Sequence, residues 1–213
     1  MKKRIFDLVL GSTGLIVASP ILILSGLLIK LDSKGPIFFK QIRIGLNGKP
    51  FKIYKLRTME ISAESNGPPI TNSTDARITK IGKFLRKLKL DELPQFINII
   101  KGDMSFVGPR PETWAYRCLF KGRYKEILSY MPGIFGPNQI ALRNESEFFP
   151  LNEDPESFYR RVMFPKKAKQ DLAYFRHASF SGDIKWIVKG LGVSLFAWKA
   201  KNSLKLQKGI LDN

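Results

Sequence analysis

From Leu8 to Ile29 the chain runs 22 residues without a charge, LVLGSTGLIVASPILILSGLLI. As one helix this run is about 33 Å long, enough to cross a hydrocarbon core. Three readings compete. A cleaved signal peptide suits the Lys2-Lys3-Arg4 start and the small residues Ala18 and Ser19, but Pro20 would follow the cut and the apolar run continues past it. A single span puts Lys2, Lys3 and Arg4 on one side and Lys30, Lys34, Lys40 and Arg43 on the other. That conflicts with the tendency of basic flanks to stay cytoplasmic. A re-entrant helix-break-helix keeps both flanks on one anionic face. Pro20 removes a backbone donor and crowds the carbonyl four residues earlier, and Ser19 can bond a group so freed. Charge balance favours this third form, and the expected division is residues 1–34 in the membrane and residues 35–213 as the domain outside it.

Two further segments carry a membrane-facing pattern. In Ile78–Leu90 the apolar positions Ile78, Ile81, Phe84, Leu85 and Leu88 follow helical spacing, with Lys80, Lys83, Arg86, Lys87 and Lys89 on other faces. This fits an interfacial helix, and equally a surface helix packed on a core. Near the C-terminus Trp186, Ile187, Leu191, Val193, Leu195, Phe196 and Trp198 alternate with Lys185, Lys189, Lys199 and Lys201, as at a water–lipid boundary. Glu60 to Asp75, with Asn66, Gly67, Pro68, Pro69, Asn72 and Ser73, reads as a loop, either a plain surface loop or a mobile one over a site.

Composition narrows the chemistry. The 213 residues hold 36 Lys and Arg against 18 Asp and Glu, a formal charge of +18. Such an excess calls for a polyanionic partner: nucleic acid, an anionic membrane face or phosphorylated substrates. The basic residues cluster at 1–58, 77–90 and 157–213, whereas Glu145, Glu147, Glu153, Asp154 and Glu156 follow one another with no base between. Cys118 is the only cysteine and His177 the only histidine. An internal disulfide framework and a zinc site of several His and Cys are excluded, and a Ser-His-Asp triad is disfavoured. Carboxylates, basic residues and a hard metal ion remain.

The acids Asp91 and Glu92 stand directly after the basic helix, and Pro94 suits the first turn of a new helix from Pro94 to Ile100. A carboxylate at a helix start is stabilised by the dipole and stays ionised. An ionised Asp can be a nucleophile or a hard-metal ligand, although capping alone also explains an acidic helix start. Arg86 precedes the pair, Arg110 sits in the rigid Gly108-Pro109-Arg110-Pro111, and Arg143 closes Asn138–Arg143. Arginine forks match phosphate oxygens, so acids, arginines and an attacking Asp make a phosphoryl-transfer set. Surface solubility or a lipid headgroup contact explains any one arginine equally well.

The motifs also stand in a telling order. Lys3-Arg4-Ile-Phe-Asp7, the apolar run broken at Ser19-Pro20, Gly35-Pro36-Ile-Phe-Phe, Arg43-Ile-Gly45, Phe51-Lys-Ile-Tyr-Lys-Leu-Arg57-Thr-Met59, the Asp75–Pro111 run and Pro132-Gly133-Ile134 together resemble the bacterial sugar transferases, specifically the small monotopic phosphoglycosyl transferases. The likeness runs from about Lys3 to Asn144, with a weaker tail to about Leu195. The chain lacks the N-terminal multi-span region of larger members and looks like the bare catalytic unit.

The resemblance implies a mixed, mainly α fold. It has few short strands, a re-entrant membrane helix that penetrates one leaflet, and interfacial amphipathic helices. It implies transfer of a sugar-1-phosphate from a nucleotide sugar, usually a UDP-sugar, to polyprenyl phosphate, with UMP released, as the first step of a surface polysaccharide or lipopolysaccharide. Asp91 would attack the sugar-linked phosphorus and form an aspartyl phosphosugar. Glu92 would help Asp91 hold Mg²⁺. Arg86, Arg110 and Arg143 would be phosphate and nucleotide contacts, with Lys55 and Arg57 in a nearby basic motif. Partners would be the nucleotide sugar, polyprenyl phosphate and anionic membrane lipid at the cytoplasmic face of the inner membrane, and a homodimer is compatible with this. The family's Gly-Trp-Ala-Gln-Val-Asn-Gly-Arg-Asn stretch reads here Gly136-Pro137-Asn138-Gln139-Ile140-Ala141-Leu142-Arg143-Asn144. Pro137 and Leu142 replace the tryptophan and glycine, so donor specificity is open.

Two other classes compete. A basic membrane scaffold without catalysis would survive Asp91→Asn unchanged. Nucleic-acid binding rests on charge alone: no zinc-finger spacing or helix-turn-helix pattern is present, and the 22-residue apolar run argues against it.

Overall fold

The computed structural model describes residues 2–61, 75–143, 145–150 and 152–196. The Pro- and Gly-bearing stretch expected as a loop lies, between 62 and 74, outside the described residues, as do Trp198, Lys199 and Lys201. The described chain is mainly helical, with two short two-stranded sheets. It divides into two compact units, Met1–Ile42 with Lys52–Gly102, and Arg43–Phe51 with Asp103–Asn213. The apolar helix lies in the first unit.

In the first unit, helix α1 (Lys2–Asp32) runs without interruption through Pro20. The carbonyl that Pro20 cannot serve is that of Ile16, four residues back, and Ser19 Oγ donates to it at 2.7 Å. The polar repair expected from the sequence is thus present, and the helical hydrogen bonding continues past it. The inner face of α1 is lined with small residues, including Gly11, Gly14, Ala18, Ser25 and Gly26. Side chains of helix α3 (Gln95–Lys101) and its surroundings fill the space this leaves: Ile99 and Ile100 lie over Gly11, Phe96 over Gly14, and Ile37 over Gly26. The outer face is bare and apolar, with Val9, Ile16, Val17, Ile23, Leu24, Leu27 and Leu31 exposed.

Both ends of α1 are tied to the same unit. Arg4 donates to the carbonyls of Ile99 and Ile100 at the close of α3, capping that helix with a cation. At the other end Asp32 Oδ2 accepts from the Ile81 amide at 3.0 Å, in the first turn of helix α2 (Lys80–Leu88). Thr79 is the N-cap of α2 and accepts from Gly82. The α2 pattern satisfies both sequence readings in part: Leu85 is buried with Ile29 and Leu56, whereas Phe84 and Leu88 are exposed beside the lysines. Gly82 backs onto Thr58, where a Cβ would strike the Thr58 backbone.

Strands β1 (Phe38–Ile44) and β2 (Pro50–Leu56) form a hairpin whose base belongs to the first unit and whose tip belongs to the second. Asn47 and Gly48 take the left-handed conformation that this turn needs. Asn98, fully buried in α3, uses its side-chain amide as a substitute strand edge: it donates to Lys52 O at 2.8 Å and accepts from Tyr54 N at 2.9 Å. That fixes β2 against α3.

The second unit is built around strands β3 (Ser105–Val107) and β4 (Gly133–Phe135), which pair in parallel with Ser105 opposite Gly133 and Val107 opposite Phe135. Gly108 and Gly133 are packed backbone to backbone, so neither admits a side chain. Short helix α4 (Pro137–Ala141) follows β4, and Gln139 clamps the carbonyls of Gly108 and Gly133. Helix α5 (Pro155–Phe158) leads through a π-turn at Tyr159–Met163 into α6 (Phe164–Phe175), and α7 (Phe180–Phe196) completes the unit. Phe164, Ala168, Leu172 and Phe175 form the buried stripe of α6.

Candidate active site

Lys89 adopts the left-handed conformation and its amide closes on the carbonyls of Leu85 and Arg86, so α2 stops there. The chain reverses through a tight turn at Leu90–Glu92 before Pro94 starts α3. Asp91 is thereby turned inward, 7% exposed, with Oδ1 buried and without a hydrogen-bond partner in the protein. Glu92 Oε1 pairs with Lys55 Nζ, from β2, at 2.9 Å. Arg86, from α2, donates from Nε to Thr58 Oγ1 at 2.8 Å.

The electrostatics of Asp91 differ from the sequence expectation. The helix dipole was expected to keep it ionised, but Asp91 sits in the turn before α3, and burial pushes its carboxyl above the usual range. The Lys55 ammonium opposes that rise, while the neighbouring Glu92 carboxylate adds to it. Burial likewise pulls the Arg86 guanidinium down, and Asp91 opposes this. The arrangement is a desolvated carboxylate with one uncommitted oxygen, held among Lys55, Arg86 and Lys89. Such a group can attack an electrophile in its ionised form, which Lys55, Lys89 and Arg86 favour against the burial.

The donor set also suits a hard cation. Among the described residues no three or more Asp, Glu, His or Cys groups are placed to hold a metal ion together. A Mg²⁺ site made of one or two carboxylates, completed by water and substrate phosphates, needs no more than Asp91 and Glu92.

Of the seven residues singled out from the sequence, Lys55, Arg86, Asp91 and Glu92 are brought together in the first unit. Arg57 belongs to that unit too, where its side chain is engaged with the backbone. It is 5% exposed and its two terminal nitrogens donate to the carbonyls of Ser33 and Lys34, where the chain leaves α1. Arg110 and Arg143 belong to the second unit. Arg110 lines a small cleft there with Glu112, Lys167 and Asp171.

The match to known proteins now decides the family. The model of the bacterial sugar transferases matches residues 1–197. The chain belongs to that family. It is 42% identical over 190 residues to a UDP-glucose:undecaprenyl-phosphate glucose-1-phosphate transferase of Escherichia coli, covering 86% of this chain and 38% of the relative. It is 41% identical over 145 residues to a UDP-N-acetylgalactosamine-undecaprenyl-phosphate N-acetylgalactosaminephosphotransferase of Aeromonas hydrophila, covering 65% and 34%. It is 37% identical over 183 residues to an uncharacterized sugar transferase, EpsL, of Bacillus subtilis, covering 86% and 82%. The chain thus spans under two-fifths of the first two relatives, both longer proteins, and most of the third.

Two features of the family chain escaped the sequence reading. Asn98 stood in an apolar helix, FINII, where a lone amide signals a buried partner. Lys167 and Asp171 share the face of α6 that carries Phe164, Ala168 and Phe175, a charged pair at core positions that a helical-wheel count exposes.

Proposed function

We propose that this chain transfers a sugar-1-phosphate from a UDP-sugar to a polyprenyl phosphate by way of a covalent intermediate on Asp91, at a membrane surface. The observation that carries this reading is the buried, uncommitted Oδ1 of Asp91 beside the Lys55–Glu92 pair, in a chain of this family. Asp91 attacks the phosphorus that bears the sugar. The bond to the bridging oxygen breaks, and UMP leaves with the electron pair. An oxygen of polyprenyl phosphate then attacks the same phosphorus and the Asp91 carboxylate departs, giving polyprenyl-diphospho-sugar.

Two displacements at one carboxylate suit substrates that never share a phase, one water-soluble and one fixed in the bilayer. Asp91 and Glu92 would hold Mg²⁺, which neutralises charge on the diphosphate. Lys55 orients Glu92, Arg86 compensates the buried Asp91, and Arg110 and Arg143 contact the phosphates or nucleotide of the donor. The relatives at 42% and 41% identity carry different sugars in their names, so overall similarity does not select the sugar.

The seat of the chemistry is the cytoplasmic face of the inner membrane, with α1 dipping into one leaflet. The bare apolar face of α1 and the fastening of both its ends to one unit support this. The charge of +18 supports adhesion to anionic lipid and attraction of an anionic donor.

The test is intact-protein mass after incubation of the purified chain with a panel of UDP-sugars and Mg²⁺, without lipid acceptor. We expect a gain of one phosphosugar, mapped to Asp91 and absent from Asp91→Asn. An Asp91→Asn variant that turns over at the parent rate would overturn the mechanism.

A further inference from the structure

The second unit encloses an ion cluster for which the proposed chemistry has no use. Lys167, on α6, is 5% exposed. Its ammonium meets Glu112 Oε1 at 2.8 Å, Tyr159 OH at 3.1 Å and Glu145 Oε1 at 3.2 Å, which occupies its three donors. Its backbone carbonyl accepts from Asn138 Nδ2, on α4, at 2.8 Å. Burial would lower the Lys167 pKa, but Glu112, Tyr159 and Glu145 outweigh it and hold the ammonium well above its usual value. Burial would raise the Glu112 carboxyl, but Lys167, with help from Tyr159 and Arg43, outweighs it and holds the group below its usual value.

The partners of this cation are not scattered. Glu112 lies two residues after Arg110, and Glu145 two residues after Arg143. Two residues of chain reach at most about 7 Å. Arg110 is further constrained by Pro109 and Pro111 on either side, by Arg43 donating to Pro111 O at 3.1 Å, and by the Ile44 amide on Glu112 O. Asn138 lies in the first turn of α4, which ends at Ala141, two residues before Arg143. One buried ammonium therefore fastens both segments that carry these arginines.

We propose that Lys167 is a positioning residue, which presents Arg110 and Arg143 as a pair to the phosphates of a nucleoside diphosphate. This rests on the reading of those two arginines as donor contacts. A buried ion pair kept only for stability is readily replaced by apolar packing. One that aims two guanidinium groups is not, because arginine recognises phosphate by a fork whose placement sets its strength.

The experiment measures equilibrium binding of UDP to the full chain in lipid nanodiscs by calorimetry. Arg110→Ala and Arg143→Ala test the underlying reading, and each should weaken UDP by about tenfold or more. Lys167→Met should weaken it as much, and adding Arg110→Ala to Lys167→Met should cost less than about twofold further, the non-additivity of groups that act as one. Lys167→Arg, which keeps the cation, should restore binding to within about threefold of the parent. Glu145→Gln loosens one arm only: its loss should be non-additive with Arg143→Ala and additive with Arg110→Ala. If Lys167→Met does not fold, Glu145→Gln carries the test, since Glu145 sits at the partly exposed edge of the cluster. Arginine variants that bind UDP like the parent would sink the reading of Arg110 and Arg143, and this proposal with it. Arginine variants that weaken UDP, with Lys167→Met or Glu145→Gln binding like the parent or strictly additive, would sink this proposal alone.

Discussion

At the scale of single residues, burial sets the chemistry more than residue type does. Asp91 and Asp171 are both buried aspartates with an oxygen that no protein group serves. Asp91 stands among Lys55, Arg86 and Lys89, which oppose the effect of its burial. Asp171 faces Lys167, Asn138 and Glu112, and burial raises its pKa from 3.8 to about 7, against the pull of Lys167 and Asn138. The folded state thus holds a proton that the unfolded chain releases. Its stabilising contribution is complete below about pH 4 and is lost as pH rises through about 7. We expect amide exchange in Phe164–Phe175 to quicken across that window in the parent. Asp171→Asn should flatten the change, and an unchanged slope would place the titration elsewhere.

At the scale of elements, α1 shows how a proline can sit in a long apolar helix. Pro20 leaves the Ile16 carbonyl without its usual donor, and Ser19 supplies one. Ser19→Ala should therefore cost about 1 kcal/mol, the net worth of one hydrogen bond. The double variant Ser19→Ala with Pro20→Ala should recover it, because the backbone N–H returns. Thermal midpoints in detergent check this; equal loss in the single and double variants would mean that Ser19 acts through something other than the Ile16 carbonyl. The periodicity of α2 marked a helix but not which apolar positions face the core. Ile81 and Leu85 lie against Ile29 and Leu56, while Phe84 and Leu88 point outward. Only the approach of α1 makes that choice.

For the chain as a whole, two fastenings support the proposed re-entrant seat. Arg4 is bonded to the end of α3 and Asp32 to the start of α2, within one unit, at opposite ends of a helix about 46 Å long. A straight crossing would carry one end to the far side of the bilayer, away from these partners. We expect cysteines placed at Lys3 and Lys34, in a Cys118→Ser background, to be labelled from the same side of sealed vesicles. Labelling from opposite sides would replace the re-entrant seat with a span.

The sequence alone determined the apolar run, its proline repair, the order of motifs that marks the family, and the place of Asp91 and Glu92. These are local signals: spacing, missing donors and adjacency are written along the chain. Only the tertiary structure decided that Asp91 is desolvated, that Arg57 closes α1 at Ser33 and Lys34, and that Lys167 gathers Glu112, Tyr159 and Glu145. A charge acquires its energy from whatever surrounds it after water has been removed. Those neighbours come from residues far apart in the chain, as Lys55 does for Glu92 and Glu112 for Lys167.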